Sequence, residues 1–213
     1  MKPILVEIWS DVVCPFCYIG KRQFEAALAR FPGRDAVTVE WKSYQLDPSV
    51  KTDPNQKTLE RLAAKYGWTQ EAARQAMGRV EAMAEGVGLS FRLEDTKVVN
   101  TFDAHRFTHF ARAHGRQNEA EEALFQAHFC EGANTADAQT LLEIGTRLKL
   151  PSSELQSMLA GNSHEDAVKD DLARARSLGI RGVPFFLFNQ SLAVSGAQGS
   201  DVFLQSLARA GEA

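Results

Sequence analysis

The sequence lacks three features that would place it in common classes of protein. None of its apolar stretches approaches the roughly 20 residues that a membrane-spanning helix needs. The net charge is −3, with acids and bases interspersed and no basic stripe that would attract a phosphate backbone. The N-terminal apolar run is short, is interrupted by Glu7 and precedes no small-residue cleavage site, so we expect no signal peptide. We therefore expect a soluble, cytoplasmic protein that binds neither nucleic acid nor membrane.

Cysteine is also scarce, at 3 residues in 213. An odd, low number argues against the disulfide framework of a secreted protein and favours thiols used in chemistry or in packing. Cys130 ends an apolar helical pattern, where a buried, inert thiol is expected. Cys14 and Cys17 are separated by only two residues, and this spacing is the first functional signal in the sequence.

Hydrophobic patterns indicate an α/β fold. Strand patterns occur at 4–9, 37–44, 184–188 and 192–195. The last two flank Asn189-Gln190, which is typical of a hairpin turn. Between the second and third strand patterns, about a hundred residues show only helical patterns. The sequence thus predicts a central mixed sheet flanked by helices in residues 1–50 and 163–213, with an inserted all-α-helical domain at 51–162.

The reactive pair follows a strand and opens a helical pattern. Disulfide exchange needs one readily ionised thiol to attack and a second thiol to resolve the mixed disulfide. A helix start supplies free backbone N–H groups and a positive dipole end that stabilise a thiolate. Pro15 suits the first turn because its missing N–H loses no helical bond. The pattern predicts that Cys14 is the nucleophile and Cys17 the resolving thiol.

The same Cys-x-x-Cys spacing also forms half of a structural zinc site. A second ligand pair could come only from His128 and Cys130, which lack a usual ligand spacing. His105 and His109 have the i, i+4 spacing of a chelating pair, but no third ligand is indicated. We therefore predict no metal and no required cofactor. A non-catalytic module, chaperone-like or metal-binding, is the alternative.

In their order along the chain, these motifs resemble the DsbA-like thioredoxin superfamily, and within it the FrnE-like thiol-disulfide oxidoreductases. The resemblance covers nearly the whole chain. It rests on Ser10–Gly20, Asn100–Arg106, Gly182–Phe188 and Ser195–Gln198. It implies a thioredoxin fold with a helical insertion, a cytoplasmic location and oxidase, reductase or isomerase activity through a mixed disulfide. Phe16 stands where DsbA itself has histidine, so we expect a weaker oxidant than DsbA.

The resemblance also implies which residues meet the substrate. In a thioredoxin fold a cis-proline loop faces the reactive pair, so we expect Val183-Pro184 to be cis and to bind substrate with Pro15 and Phe16. The proline could instead be merely positional at a strand start. Asn100 and His105 would line the substrate cleft, or would serve in capping and in packing. Thiol or disulfide proteins, or glutathione as a redox partner, are the expected substrates.

Three further expectations come from relatives in the superfamily. Glu7 resembles an acid that moves a proton to or from the resolving thiol, although it could equally be a strand-edge charge facing water. Ser200 and Asp201 resemble a glutathione-binding segment of kappa-class transferases, although a simple helix cap explains them too. These transferases and 2-hydroxychromene-2-carboxylate isomerase, which carry serine in place of Cys14, supply an alternative function. The helical insertion offers surface for a homodimer.

Overall fold

The computed structural model describes residues 2–212. Its strands are β1 (Ile4–Ser10), β2 (Val37–Ser43), β3 (Asp53–Lys57), β4 (Lys97–Val98), β5 (Phe185–Phe188) and β6 (Leu192–Ser195). Its α-helices are α1 (Pro15–Arg30), α2 (Thr58–Tyr66), α3 (Gln70–Glu85), α4 (Phe102–Ala113), α5 (Gln117–Phe129), α6 (Ala138–Arg147), α7 (Ser152–Ala160), α8 (Glu165–Ser177) and α9 (Ser200–Glu212). The chain forms two compact units, a sheet unit that runs up to Leu46 and resumes at Val168, and a helical unit, Asp47–Ala167.

The sheet unit is built on a four-stranded mixed sheet in the order β2-β1-β5-β6. β1 pairs in parallel with β2 and antiparallel with β5, and β5 pairs antiparallel with β6. β1 is therefore a central strand, which explains why its sequence is almost continuously apolar. The hairpin between β5 and β6 turns at Asn189 and Gln190, whose φ angles are 46° and 59°. The predicted α/β fold with a central mixed sheet and flanking helices is confirmed.

Each face of this sheet has its own helical cover, because side chains alternate along a strand. Ile4, Val6 and Ile8 of β1 pack with residues of α1 and α9, such as Phe24 and Phe203. The complete core on this face comprises Ile4, Val6, Ile8, Phe24, Ala27, Phe31, Trp41, Phe186, Phe188, Val194, Phe203, Leu207 and Ala210. On the opposite face, a smaller cluster joins Trp9 and Leu187 to Ala175 of α8 and to Ile180.

α1 begins directly after Cys14, which is its N-cap residue in an extended conformation, with φ −94° and ψ 108°. The side chain of the N-cap residue makes no hydrogen bond to the N–H groups of the first turn, which are therefore not capped. The helix ends at Arg30, with Phe31 as its C-cap residue, because Pro32 and Gly33 do not favour continuation. The first turn of α1 thus places the cysteine pair at the end of the central strand.

The helical unit also contains a small antiparallel ribbon of β3 and β4, which the sequence patterns did not predict. Thr58 Oγ1 donates a hydrogen bond of 3.1 Å to the Thr96 carbonyl, and Thr96 Oγ1 donates one of 2.8 Å to Thr58 Oγ1. α2 begins only after this ribbon, at Thr58. Within residues 2–212, no helix combines the length and the apolar character needed to cross a membrane.

A buried arginine organises the helices of this unit. The Arg106 side chain, 5% exposed, pairs with Asp103 on its own helix. Its guanidinium also donates hydrogen bonds to the backbone carbonyl groups of Met158, Gly161 and Ser163. These carbonyl groups lie at and beyond the end of α7, where a helix leaves its last acceptors without intrahelical donors. Arg106 therefore ties α4 to the end of α7.

Candidate active site

The cysteine pair is held by the turn between β1 and α1. The backbone N–H of Cys14 donates to the Asp11 carbonyl at 2.9 Å, and that of Cys17 donates to the Cys14 carbonyl at 3.0 Å. Cys14, Cys17 and Cys130 are all in the thiol form, and Cys130 is only half-buried, which differs from the buried thiol expected at that position. Cys14 is 4% exposed and Cys17 is fully buried. The more accessible thiol of the pair is thus the one at the helix start.

The loop that precedes β5 meets Cys14. The peptide bond between Val183 and Pro184 is cis. The Cys14 thiol donates a hydrogen bond of 3.5 Å to the Val183 carbonyl, 169 residues away in sequence. The backbone N–H of Gly196 donates to the Pro184 carbonyl at 2.8 Å and so fixes the loop against the end of β6. Two distant segments of the chain therefore form one site.

Gly20 allows the close approach between α1 and this loop. A Cβ atom at Gly20 would lie 3.0 Å from Pro184 Cγ and 3.5 Å from Phe186 Cζ. Real Cβ atoms rarely approach a neighbour so closely, so any larger residue must shift the loop or the helix. Gly20 belongs to the segment that carries the family resemblance, yet the sequence alone gave no reason to assign it a role.

The two thiols lie in different electrostatic surroundings. The pKa of Cys17 is raised well above its ordinary value, chiefly by burial and further by Cys14. The backbone N–H of Asp11 and the hydroxyl of Ser10 act in the opposite direction and lower the pKa. The Cys17 thiol therefore stays protonated at neutral pH, as expected of a resolving thiol before the mixed disulfide forms.

Apolar residues adjoin Cys14 along the chain and at the Val183 loop. The Phe16 side chain, between the two cysteines, is 37% exposed, which is high for a large aromatic residue. Pro15 and Val183 are half-buried. An extended segment that approaches Cys14 would meet these apolar groups and the Val183 backbone.

Glu7 is buried at 1% exposure, so the interpretation as a water-facing edge charge is wrong. Its carboxylate accepts two hydrogen bonds from Arg174 of α8, at 2.6 and 2.7 Å, and Lys42 Nζ lies 3.8 Å away. Strand alternation places Glu7 on the α8 face with Trp9, over which the Arg174 guanidinium stacks at 5.6 Å. Because α1 covers the opposite face, this geometry favours a structural ion pair over a proton relay to Cys17.

Asn100 and His105 belong to the helical unit. Asn100 Nδ2 donates to the Pro48 carbonyl at 3.3 Å and to the Val50 carbonyl at 2.8 Å, and its Oδ1 accepts the Phe102 N–H at 3.0 Å. These bonds fix the start of α4, although Thr101 is the formal N-cap residue. His105 is 1% exposed within α4. A substrate role for either residue stays a prediction.

Ser200 and Asp201 form the first turn of α9 and already have partners. The Ser200 N–H donates to Gln23 Oε1 of α1 at 2.9 Å. Asp201 forms an exposed ion pair with Arg30 at 2.8 Å. Gln23, which the sequence analysis did not select, thus occupies the helix start that was predicted to bind glutathione.

No cluster of three or more His, Cys, Asp or Glu side chains suited to a metal ion occurs within residues 2–212. The neighbours of the cysteine pair are instead backbone groups, a hydroxyl and apolar side chains, a set that suits sulfur exchange.

Comparisons with known proteins agree with this architecture. The family model for a DSBA-like thioredoxin domain matches residues 5–208. The uncharacterized protein YwbO of Bacillus subtilis (strain 168) is 28% identical over 204 residues, which cover 95% of this chain and 94% of YwbO. The crystal structure of a probable DsbA oxidoreductase from Streptomyces coelicolor is 38% identical, with a TM-score of 0.92 over 98% of this chain and 90% of that one.

A more distant structure shares the fold. The cytosolic disulfide reductase DsbM from Pseudomonas aeruginosa is 18% identical, with a TM-score of 0.68 over 98% of each chain. A structure of DsbM with GSH is similar as well, with a TM-score of 0.67 over 98% of this chain and 100% of that one.

Proposed function

This chain belongs to the family of DSBA-like thioredoxin domains, and from that premise we propose that it is a dithiol-disulfide oxidoreductase acting through Cys14 and Cys17. One observation carries the proposal: the Cys14 thiol lies at the start of α1 and 3.5 Å from the Val183 carbonyl. A helix start favours a negative charge, and the Val183 backbone offers hydrogen-bonding groups to an extended substrate.

In the proposed reaction, the Cys14 thiolate attacks one sulfur of a substrate disulfide. A Cys14–substrate disulfide forms, the substrate S–S bond breaks, and the second substrate sulfur leaves as a thiolate that takes a proton. Cys17 then loses its proton and attacks the Cys14 sulfur, which releases the first substrate sulfur as a thiolate. The substrate gains two electrons and the cysteine pair is oxidised to a disulfide. The same steps in reverse oxidise a dithiol.

The substrate contacts follow from the groups around Cys14. The Val183 backbone beside Pro184 holds the substrate main chain, and Pro15 and Phe16 provide apolar contact to the residues that flank the substrate cysteine. For Asn100 and His105 of the helical unit, we propose a subsidiary role in substrate binding. The resulting substrate class is a protein thiol or disulfide in an accessible segment.

Glutathione is the proposed small-molecule redox partner, and the GSH complex of DsbM supports this by analogy of fold. Glutathione can react at Cys14 as any disulfide or thiol does, without a dedicated site. Binding of its γ-glutamyl end at Ser200 and Asp201 requires that it displace Gln23 from the Ser200 N–H. No further cofactor is needed for exchange, and a cytoplasmic location fits the cytosolic DsbM neighbour.

Single cysteine variants test the proposal in an insulin reduction assay with glutathione as reductant. Cys14→Ser removes the attacking sulfur and should abolish activity, whereas Cys17→Ser should accumulate a glutathione mixed disulfide that mass spectrometry detects. Cys130→Ser is the matched control and should keep full activity, since this cysteine belongs neither to the Cys14–Cys17 segment nor to the Val183-Pro184 loop. Retention of full activity by Cys14→Ser would contradict the proposal and leave the transferase or isomerase alternative.

A redox titration of the pair against glutathione tests the effect of Phe16. Without a histidine between the cysteines, the thiolate form of Cys14 is less stabilised, so the disulfide should be less oxidising than the DsbA value of about −120 mV. A measured potential at or above that value would contradict this reasoning.

A further inference from the structure

Ser10 is a buried polar residue without an assigned role. It ends β1, is 1% exposed, and its hydroxyl oxygen has no hydrogen-bond partner of ordinary geometry within residues 2–212. A buried hydroxyl without a partner is destabilising in a folded protein, and such groups often mark a functional site.

The backbone places Ser10 beneath the first turn of α1. Strand alternation puts it on the same face as Val6 and Ile8, the face that α1 covers. The next residue, Asp11, accepts the Cys14 N–H at 2.9 Å, which holds the strand end against the helix start. The Ser10 side chain therefore points to the buried side of the cysteine pair, where Cys17 lies at 0% exposure.

We propose that the Ser10 hydroxyl, together with the Asp11 backbone N–H, is the donor pair that stabilises the Cys17 thiolate while the mixed disulfide is resolved. This inference rests on the proposed function and adds a residue to its second step. A base in the solvent takes the Cys17 proton, the Ser10 O–H turns toward the sulfur, and the thiolate attacks the Cys14 sulfur as the substrate thiolate leaves. Atoms and electrons balance as in simple exchange.

The surroundings of Cys17 show why such donors are needed. Burial and the neighbouring Cys14 both raise the pKa of Cys17, whereas the Asp11 N–H and the Ser10 hydroxyl lower it. A serine hydroxyl rotates freely, so it can serve a thiolate without a change in the backbone. Charge-assisted hydrogen bonds are stronger than neutral ones, so the donor acts mainly when the thiolate forms.

The test follows the reaction of the reduced protein with an excess of Ellman's reagent by stopped-flow absorbance over a range of pH. The first coloured thiolate reports attack by Cys14, and the second reports resolution by Cys17. Ser10→Ala should slow the second phase about tenfold at neutral pH. The pH midpoint of this phase, at which it reaches half of its maximal rate, should rise by about one unit, since one unit is a tenfold change in the thiolate fraction. The first phase should keep its wild-type rate.

Two variants separate this role from a structural one. Ser206→Ala removes an equally small hydroxyl that is 6% exposed in α9 and bonded at 2.9 Å to the Val202 carbonyl, and it should leave both phases unchanged. Ser10→Thr retains a hydroxyl and should resolve within about threefold of the wild-type rate, a limit well below the tenfold expected for alanine. Since the Ser10 hydroxyl has no other partner, Ser10→Ala should also lose no thermal stability.

The two phases distinguish failure of the role proposed for Ser10 from failure of the oxidoreductase proposal. If Ser10→Ala keeps the wild-type pH midpoint, or if Ser10→Thr is as slow as Ser10→Ala, the hydroxyl is not the donor. If both phases slow equally, the substitution has disturbed the site as a whole and the inference is overturned. If the wild-type protein shows no second release at all, it is the oxidoreductase proposal that fails.

Discussion

Replacement of Glu7 by glutamine should destabilise the protein by about 2 kcal/mol without altering cysteine chemistry. The Glu7 carboxylate is 1% exposed and accepts hydrogen bonds of 2.6 and 2.7 Å from Arg174. Removal of one partner from a fully buried ion pair costs about 3–5 kcal/mol. Here the Arg174 side chain is 38% exposed, so water can solvate the freed guanidinium, and glutamine keeps one acceptor. The loss should therefore fall below that range, near 2 kcal/mol.

Urea unfolding at pH 7, followed by tryptophan fluorescence, measures this loss. In a chain of this size, about 2 kcal/mol corresponds to a fall in Tm of about 4–8 °C. A double-mutant cycle with Arg174→Gln should give a coupling free energy of at least about 1 kcal/mol, since these two side chains share both bonds. The Ellman's reagent experiment should give the wild-type pH midpoint for resolution by Cys17. A shift of that midpoint with little loss of stability would refute the ion-pair interpretation and restore the proton relay.

Three other substitutions or conditions give separable results. Gly20→Ala should slow insulin reduction several-fold, because the new Cβ would lie 3.0 Å from Pro184 Cγ. Gly78→Ala is the control: its Cβ would have no atom within 4 Å, so it should only stabilise α3, by about 0.5–1 kcal/mol. Arg106→Lys should lower the free energy of unfolding by about 2–4 kcal/mol, because one ammonium group cannot donate to the same set of carbonyl groups. A change in Tm of less than about 2 °C would contradict this. The reduced protein should lose stability above about pH 8.5, because the raised pKa of Cys17 keeps the folded thiol protonated while the unfolded chain ionises. In wild type, the free energy of unfolding should fall by at most about 1.4 kcal/mol per pH unit in this range, and Cys17→Ala should abolish this fall. Urea unfolding measures both proteins, and an equal fall in both would contradict the assignment.

The features that were predictable from the sequence are those encoded locally. An almost continuously apolar run of strand-forming residues predicted β1, and the passage from strand to helix predicted the position of Cys14 at the start of α1. The Asn189-Gln190 turn was evident because asparagine readily adopts a positive φ. In each case the signal lies within a few residues of the structure that it specifies.

The features that were missed depend on contacts between distant segments. Glu7 meets Arg174 across 167 residues, and Ser200 meets Gln23 across 177, so neither pairing leaves a local pattern. The β3–β4 ribbon was missed for another reason. Its first strand contains Asp53 and Pro54, which are typical of turns, and it is held by threonine side-chain bonds rather than by apolar alternation.

The sheet unit draws its strands from both ends of the chain, and this has a consequence for biosynthesis. β1 emerges from the ribosome early, but its antiparallel neighbour β5 follows only after the entire helical unit has been made. Helices form from local contacts, so the contiguous helical unit can fold while the nascent chain is still growing. Until Val183 has been translated, the loop that contacts Cys14 is missing. The two reactive thiols of the nascent chain therefore stay accessible to reagents in solution. A ribosome-bound chain that stops before β5 should react with thiol reagents faster than the full-length protein does.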